Sequence, residues 1–401
     1  MPVFPTRADI DLLDGQFYAA DPWPRFAWMR QHAPVFRDEA NGLWAVSRHA
    51  DVMAVSKSPD TFCSSGSSRP DAPAIPSMIN LDDPAHRIRR GLVNKGLTPR
   101  RVQEHEPRIR AICRTLIERA VAAGRCDFVR DVAAPLPMML IGDLLGVEEA
   151  DHDRLLRWSD DLICGLSSTA PIEALVAAQT AFVEYAEYHR EVVADRRARP
   201  PLDDLMSILV HAEIDGERLD DEALLQESLL ILVGGDETTR HVISGGMHAL
   251  LTHPEQYALL RREPARVPAA VEEMLRWVSP IQNMNRTATR DVALHGESIR
   301  AGDKVLLLYP AANRDESVFR DPHAFDVTRQ PNPHVAFGGY GAHFCLGASL
   351  ARLELKVMFE ELMTHAPPFA LASEEAPPLR PSNFIVGIEH LPVEVAPPPP
   401  S

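Results

Sequence analysis

The spacing of hydrophobic residues changes near Arg286, and this change divides the predicted secondary structure in two. Between residues 83 and 260, apolar residues recur at three- and four-residue intervals, which is the spacing of helices that bury one face. Beyond Arg286, short apolar runs alternate with turn residues and predict strands. We therefore expect helices over 102–123, 151–166 and 172–197, strands over 292–294 and 305–308 with a turn at His295-Gly296, and a further helix after Gly347.

The first part of the chain predicts short, mixed elements. We expect a strand over 43–46, a helix over 50–57 and a loop without periodicity over 64–77. No internal repeat or dividing linker is evident. The sequence thus favours one mainly α domain with a small β region over residues 1–393, followed by a proline-rich tail over 394–401 that ends in the run Pro397 to Pro400.

The longest predicted helix covers residues 221–251, about 45 Å at the usual rise per residue. Its centre reads Gly234-Gly235-Asp236-Glu237-Thr238-Thr239, and glycine and threonine are poor helix formers. A glycine lets a flat ligand approach the helix backbone, and Thr238 can bond to a carbonyl or to a guest molecule. From the helix alone, a packing kink and a ligand site are about equally good explanations of the weak centre.

Composition narrows the class of protein. The chain has 401 residues, 45% of them hydrophobic, and a net charge of −16, which argues against nucleic acid or an anionic membrane as the main partner. Five cysteines at irregular spacing form no disulfide framework and favour a reducing cytoplasm. Neither a signal peptide nor an apolar stretch of the ~20 residues that a membrane span requires is present, so we expect a cytoplasmic protein without a membrane anchor.

Cys345 is the candidate metal ligand. It follows a glycine-rich segment, residues 337–344, and precedes a helical pattern, so its sulfur would lie near the positive end of a helix dipole, which favours the thiolate. A thiolate there is a natural axial ligand for haem iron. The alternative is a small buried cysteine in a glycine turn, and we accept that interpretation for the other four cysteines: Cys63, Cys113, Cys126 and Cys164. Neighbouring cysteines for a zinc or iron–sulfur site are lacking.

The segment resembles the haem-binding loop of cytochromes P450, whose usual form is Phe-Gly-x-Gly-x-His-x-Cys-x-Gly. Gly341, His343 and Gly347 match this form around Cys345. One position departs from it, because the usual phenylalanine position holds a glycine and Phe337 lies one residue earlier. The resemblance implies the cytochrome P450 fold, mainly α with a small β region, and haem b (iron protoporphyrin IX) bound through Cys345.

Other family positions follow in order along the chain. Glu273 and Arg276 match the Glu-x-x-Arg pair, which in the family locks a loop, here with Arg329. The resemblance also implies that cationic or hydrogen-bonding side chains hold the haem propionates, namely His86, Arg90, Arg286 and His343.

The resemblance gives the weak centre of the long helix a role. Glu237 and Thr238 match the family's acid–alcohol pair, which supplies protons during oxygen activation, and Gly234 and Gly235 would leave room for O2. The implied reaction is hydroxylation of an unactivated C–H bond.

The substrate prediction rests on resemblance as well. The chain is most similar to bacterial members that hydroxylate the side-chain terminus of cholesterol and cholest-4-en-3-one, over stretches that include 126–131, 156–161, 234–241 and 273–277. An apolar pocket suits a sterol, but it suits a fatty acid or a terpenoid equally. The pocket residues that we expect are Ile75, Met78, Ile79, Leu230, Val233, Ile281, Met284, Phe384 and Ile385.

A separate electron donor is expected, because the chain contains no flavin or nicotinamide domain. The family resemblance implies a ferredoxin with its ferredoxin reductase, and we expect an acidic ferredoxin to dock on Arg87, Arg89, Arg352 and Lys356. The alternative is that these basic residues are only a solvated surface without a docking role.

Two rival functions remain open. One is a peroxide-driven peroxygenase, a group that lacks the acid–alcohol pair. The other is a haem-thiolate sensor or carrier without turnover, which would not need that pair.

Overall fold

The computed structural model describes residues 7–166, 170–213, 216 and 218–396. Helices dominate the described residues, and most of them lie between residues 85 and 278. In chain order they are α1 (Gly15–Ala19), α2 (Trp23–His32), α3 (His49–Ser56), α4 (Ala85–Asn94), α5 (Pro99–Glu104), α6 (Glu106–Ala123), α7 (Pro135–Leu145), α8 (His152–Cys164), α9 (Ile172–Ala198), α10 (Leu205–His211), α11 (Asp221–Thr252), α12 (Pro254–Arg262), α13 (Val267–Val278), α14 (Tyr309–Ala312) and α15 (Ala348–Thr364).

The strands form three small sheets. They are β1 (Val35–Asp38), β2 (Leu43–Val46), β3 (Phe62–Cys63), β4 (Arg125–Asp127), β5 (Asn283–Ala288), β6 (Val292–Leu294), β7 (Glu297–Ile299), β8 (Lys304–Leu308), β9 (Phe369–Leu371) and β10 (Pro392–Val395). The largest sheet has the order β1-β2-β8-β5-β3, with β2 parallel to β8. The other two sheets are β4-β10-β9 and the hairpin β6-β7. The predicted fold class, mainly α with a small β region, is confirmed.

Most predicted elements are present, with shifts at their ends. The predicted helix over 102–123 is two helices, α5 and α6, which meet at His105. Strand β5 was not predicted, because its sequence, Asn-Met-Asn-Arg-Thr-Ala, is polar and shows no apolar alternation. At the C-terminus, Glu394 and Val395 belong to β10, so the ordered chain extends beyond the boundary placed after residue 393. Residues 397–401 of the predicted tail lie outside the described residues.

Helix α11 is the central element of the helical region. It has 32 residues, and the side chain of Asp220 caps its start by accepting a hydrogen bond from the N–H of Ala223 at 2.8 Å. It packs against α7, α8, α13 and α15. The main hydrophobic cluster includes residues of all five helices, and this packing, rather than helix propensity, supports the weak Gly-Gly-Asp-Glu-Thr-Thr centre.

A buried ion pair fixes the chain that leads to Cys345. Arg276 donates to both carboxylate oxygens of Glu273 at 2.7 Å, and Arg329 donates to the same carboxylate at 3.1 Å. Arg276 also donates to the carbonyl groups of Asn313, Pro322 and Ala324, so both charges are hydrogen-bonded throughout. The predicted contact between the Glu-x-x-Arg pair and Arg329 is therefore present. It ties α13 to the loop over 313–332, which precedes the cysteine segment.

Across the part of the chain that the structure describes, no helix is both long enough and apolar enough to cross a membrane.

Candidate active site

The backbone around Cys345 forms a tight loop that ends at α15. The N–H of Cys345 donates to the carbonyl of Phe337 at 3.0 Å and closes the loop, and Gly347 occupies the N-cap position of α15. The sulfur therefore lies within one turn of the helix start, as the sequence predicted.

Glycines allow this loop to press against α3. A Cβ atom on Gly341 would overlap the carbonyl oxygen of Ser56, and a Cβ atom on Gly339 would overlap the Ser56 side chain. Any side chain at either position would push the loop away from α3 and shift the cysteine with it. Close packing of backbone against backbone thus sets the position of the sulfur.

The structure shows how the loop accommodates the displaced phenylalanine. Gly338 adopts φ +91° and Tyr340 adopts φ +58°, so the backbone turns twice through the left-handed region. Tyr340 stacks on Phe344 with ring centroids 4.9 Å apart, which offsets part of the strain. Phe337 packs edge-on against Phe344 and lies under the guanidinium of Arg352 at 4.5 Å. The ring of Phe337 therefore remains beside the cysteine loop despite its shifted position.

Burial and local charge act in opposite directions on Cys345. Burial is the larger effect and raises the pKa of the thiol above its usual value, and the N–H groups of Gly347 and Ala348 and the charges of Arg90 and Arg352 offset part of this rise. Arg90 also donates to the carbonyl of Phe344 at 2.5 Å, immediately before the cysteine. These donors and cations suit an anionic sulfur at this position.

The four residues predicted to hold propionates lie close together. The rings of His86 and His343 are 4.1 Å apart between centroids, and Nε2 of His86 is buried without a hydrogen-bond partner in the described residues. Burial, together with the positive charges of Arg286 and Arg90, lowers the pKa of His343 to about 3. Several positive and polar groups thus lie close together beside an unpartnered ring nitrogen, and the charges of Arg90 and Arg286 suit a bound carboxylate.

The centre of α11 borders open space at Gly234. Gly234 is exposed although it lies at the middle of a largely buried helix, and a Cβ atom placed on it would meet no protein atom within 4 Å. Thr238 Oγ1 donates to the Gly234 carbonyl at 3.0 Å, as predicted, and its side chain is half-buried on the same face. Gly235, by contrast, faces the Ile141 side chain.

These observations fit haem b. Cys345 places a sulfur atom next to a helix start, His86 has a buried ring nitrogen without a hydrogen-bond partner among the described residues, and Gly234 leaves space beside the helix.

Glu237 is fully buried and lies within a cluster of charged side chains. Arg380 donates to its Oε1 at 3.0 Å, Arg240 is in close contact with it, and Nε2 of His241 is 2.7 Å from Oε2. Arg240 in turn pairs with Asp160 at 2.8 Å. Because the side chains of Arg380 and Asp160 are partly exposed, the cluster connects the buried centre of α11 with the surface.

The partners of Glu237 were missed by the sequence analysis, although one signal was available. Arg240 and His241 lie three and four residues after Glu237, the spacing at which helical side chains meet. Arg380 and Asp160 come from distant parts of the chain and gave no such signal.

Five of the nine predicted pocket residues form one apolar cluster. Phe384 and Ile385 pack with Val233, Ile281 and Met284, and Ile163 of α8, which was not predicted, completes the cluster. Met78 and Leu230 belong to the main hydrophobic cluster instead, Ile79 is half-buried, and Ile75 is 45% exposed.

The predicted basic docking face is only partly available. Arg87 is exposed, and Lys356 is half-buried at 3.6 Å from Glu360. Arg352 is bound to Glu272 through two hydrogen bonds of 2.7 and 2.9 Å. Arg89 donates to the carbonyl of Pro76 at 2.7 Å and lies 3.4 Å from the buried Glu227, so it does not form part of a free basic surface.

Comparison with known proteins gives a consistent picture. A family model described as Cytochrome P450 matches residues 165–386. The chain is 50% identical over 394 residues to a Steroid C26-monooxygenase of Mycobacterium tuberculosis, with 98% of each chain covered. It is 39% identical to a Methyl-branched lipid omega-hydroxylase of Mycobacterium bovis, covering 96% of this chain and 94% of the relative.

Two solved structures are similar along nearly the whole chain. A Mycobacterium marinum cytochrome P450 in complex with pseudoionone superposes with a TM-score of 0.88 at 36% identity, over 98% of this chain and 100% of the other. A Bacillus megaterium cytochrome P450 in complex with testosterone superposes with a TM-score of 0.85 at 34% identity, over 94% of this chain and 99% of the other.

Proposed function

This chain belongs to the cytochrome P450 family, and from that premise we propose that it hydroxylates the terminal side-chain carbon of a steroid such as cholesterol or cholest-4-en-3-one. The observation that carries the steroid assignment is the 50% identity, over nearly the full length of both chains, to a Steroid C26-monooxygenase. The testosterone complex of a structural relative supports the same class of substrate.

The cofactor of the family is haem b, which when bound supplies the oxygen-activating chemistry. We propose that Cys345 provides the sulfur ligand and that His86, Arg90, Arg286 and His343 bind the propionates. The convergence of these four side chains and the unpartnered Nε2 of His86 support this assignment.

We assign the movement of protons to Glu237 and Thr238. Thr238 Oγ1 lies on the Gly234 face of α11, where it can accept a hydrogen bond from a water molecule while its O–H donates to the Gly234 carbonyl. Glu237 lies behind it, between the buried helix centre and the partly exposed Arg380 and Asp160. To pass a proton inward, the Glu237 side chain must leave its pairing with Arg240 and Arg380. The two arginines therefore control when the carboxylate is available.

The substrate would bind on the distal side, against the cluster that contains Val233, Ile281, Met284, Phe384 and Ile385. Their apolar surfaces suit the aliphatic side chain of a sterol. Ile75, Met78, Ile79 and Leu230 lie outside this cluster, and we assign them to the substrate pocket from the family resemblance.

We further propose a ferredoxin and its ferredoxin reductase as electron donors in the cytoplasm. All five cysteines are free, which fits a reducing compartment. The exposed Arg87 and the half-buried Lys356 are the cations that we assign to docking. A rate of reduction by ferredoxin that is unchanged in an Arg87→Glu/Lys356→Glu variant would refute this part of the proposal.

We predict that cholest-4-en-3-one displaces water from the ferric iron and shifts the Soret band toward high spin. The titration is run on purified ferric protein, with a methyl-branched fatty acid in parallel because of the 39% identical lipid hydroxylase. Saturation at a sterol concentration at least about tenfold below that needed for the lipid supports steroid hydroxylation. A response to the lipid alone would refute the steroid assignment and leave the monooxygenase assignment in place.

We predict that Thr238→Ala uncouples electron consumption from hydroxylation. The variant should consume reducing equivalents at a rate similar to the wild type but convert about tenfold less of them into product, because the Thr238 hydroxyl is lost. Thr238→Ser is the matched control, because it retains the hydroxyl and should retain most of the coupling. Product yield per electron that is equal in wild type and Thr238→Ala would contradict a proton-handling role and favour a haem sensor or carrier.

A further inference from the structure

Glu227 is a buried acid on the Gly234 face of α11 that the functions above do not use. It lies seven residues, or nearly two helical turns, before Gly234, so it shares a stripe with Gly234 and Thr238 at about 10 Å along the helix axis. Its side chain is fully buried. An apolar residue would be expected at such a position in a helix of this kind.

The carboxylate of Glu227 holds a segment from another part of the chain. The N–H of Met78 donates to Oε1 at 2.8 Å. Met78 begins the short 3₁₀ helix Met78–Asn80, which has no side-chain cap of its own, so Glu227 caps this helix from across the fold. Met78 and Ile79 are two of the residues that we assign to the substrate pocket.

Arg89 of α4 completes the connection. Its Nη1 donates to the carbonyl of Pro76 at 2.7 Å and lies 3.4 Å from Glu227 Oε1. One guanidinium and one carboxylate therefore hold the two ends of the same short segment, from Pro76 to Met78. Asn80 stabilises the segment internally by donating to the carbonyl of Ile75 at 3.2 Å.

The buried carboxylate of Glu227 is expected to reduce the stability of the fold. Burial raises the pKa of Glu227 to about 7, although the Met78 N–H and Arg89 act in the opposite direction. Oε2 of Glu227 and Oγ of the adjacent Ser77 are buried without hydrogen-bond partners among the described residues. Unsatisfied buried polar atoms reduce stability, and apolar residues in place of a buried ion pair are often as stable or more so. A role in holding the segment accounts for an acid at this position.

We propose that Glu227, together with Arg89, is a positioning residue that fixes segment 75–80, three of whose residues we assign to the substrate pocket, and thereby sets the affinity for a long hydrophobic substrate. This inference rests on the proposed function, because it takes the sterol as the ligand that contacts the segment. Glu227 acts through Met78 and takes no part in the chemistry at the iron.

The test compares the binding of two ligands to the haem-loaded protein. Cholest-4-en-3-one is the long hydrophobic ligand of the proposed function, whereas imidazole is a small ligand that would bind through the iron alone. Glu227→Leu removes the acceptor for Met78 and the partner of Arg89, and Glu227→Gln keeps an acceptor oxygen without the charge. The matched control is Glu222→Gln, on the same helix, whose exposed carboxylate accepts only from Gln226 in the neighbouring turn.

We expect Glu227→Leu to raise the sterol Kd about tenfold and the imidazole Kd by less than about twofold. Glu227→Gln should fall between wild type and Glu227→Leu, and Glu222→Gln should match the wild type. Adding Arg89→Leu to Glu227→Leu should raise the sterol Kd little further, because both changes release the same segment.

Three results would overturn the inference: a sterol Kd that Glu227→Leu leaves unchanged, equal losses for sterol and imidazole, or fully additive effects of the two substitutions. Failure of the wild type to bind the sterol would refute the proposed function instead. In that case, the Kd values of wild type and the Glu227 variants are compared for the lipid that shifts the wild-type spectrum. That comparison tests the role of Glu227 independently of the steroid assignment.

Discussion

The structure depends on one close approach of backbone to backbone, between the cysteine loop and helix α3. Gly339 and Gly341 bring the loop into contact with Ser56, and no side chain fits at either position. The hydrogen bond from the Cys345 N–H to the Phe337 carbonyl then closes the loop, and α15 begins three residues later. A metal ligand must be held precisely, and this loop gains its precision from steric exclusion and from the ion pair of Glu273, Arg276 and Arg329, which anchors the preceding chain.

The second part of the candidate site is the centre of α11. This helix contributes buried residues to the hydrophobic core and also carries the candidate site residues. Its flanks are packed on neighbouring helices, α7, α8, α13 and α15 among them, so the middle can contain glycine, threonine and acids that a free helix would not support. Gly234 opens a space, Thr238 faces it, and Glu237 lies behind among arginines. Glu227 adds a connection from the same stripe to segment 75–80. Helix α11 thus carries residues of the proposed oxygen site, the proposed proton supply and the proposed substrate wall.

Helical periodicity was sufficient to predict most of the fold, including α11 within one residue of its observed end. Strand β5 could not be predicted, since its polar residues are fixed by pairing with β8 rather than by their own pattern. The cysteine loop and the four propionate candidates were identified through the family resemblance, and the structure brings them together. The pairing of Glu237 with Arg380, and of Glu227 with Met78, joins residues far apart in sequence, and local patterns contain no information on such contacts. Arg89, which the sequence analysis assigned to a docking face, is partly exposed and is bonded to the Pro76 carbonyl and paired with the buried Glu227.

The central claim is that the sulfur of Cys345 holds the haem iron, and the electronic spectrum of the reduced, CO-bound protein tests it most directly. We predict that the wild type gives the strongly red-shifted Soret band of thiolate-ligated haem. Cys345→His should give the band of imidazole-ligated haem, and Cys164→Ala, which changes a free cysteine in α8, should leave the spectrum unchanged. A thiolate-type band that persists in Cys345→His, or is lost in Cys164→Ala, would contradict the account.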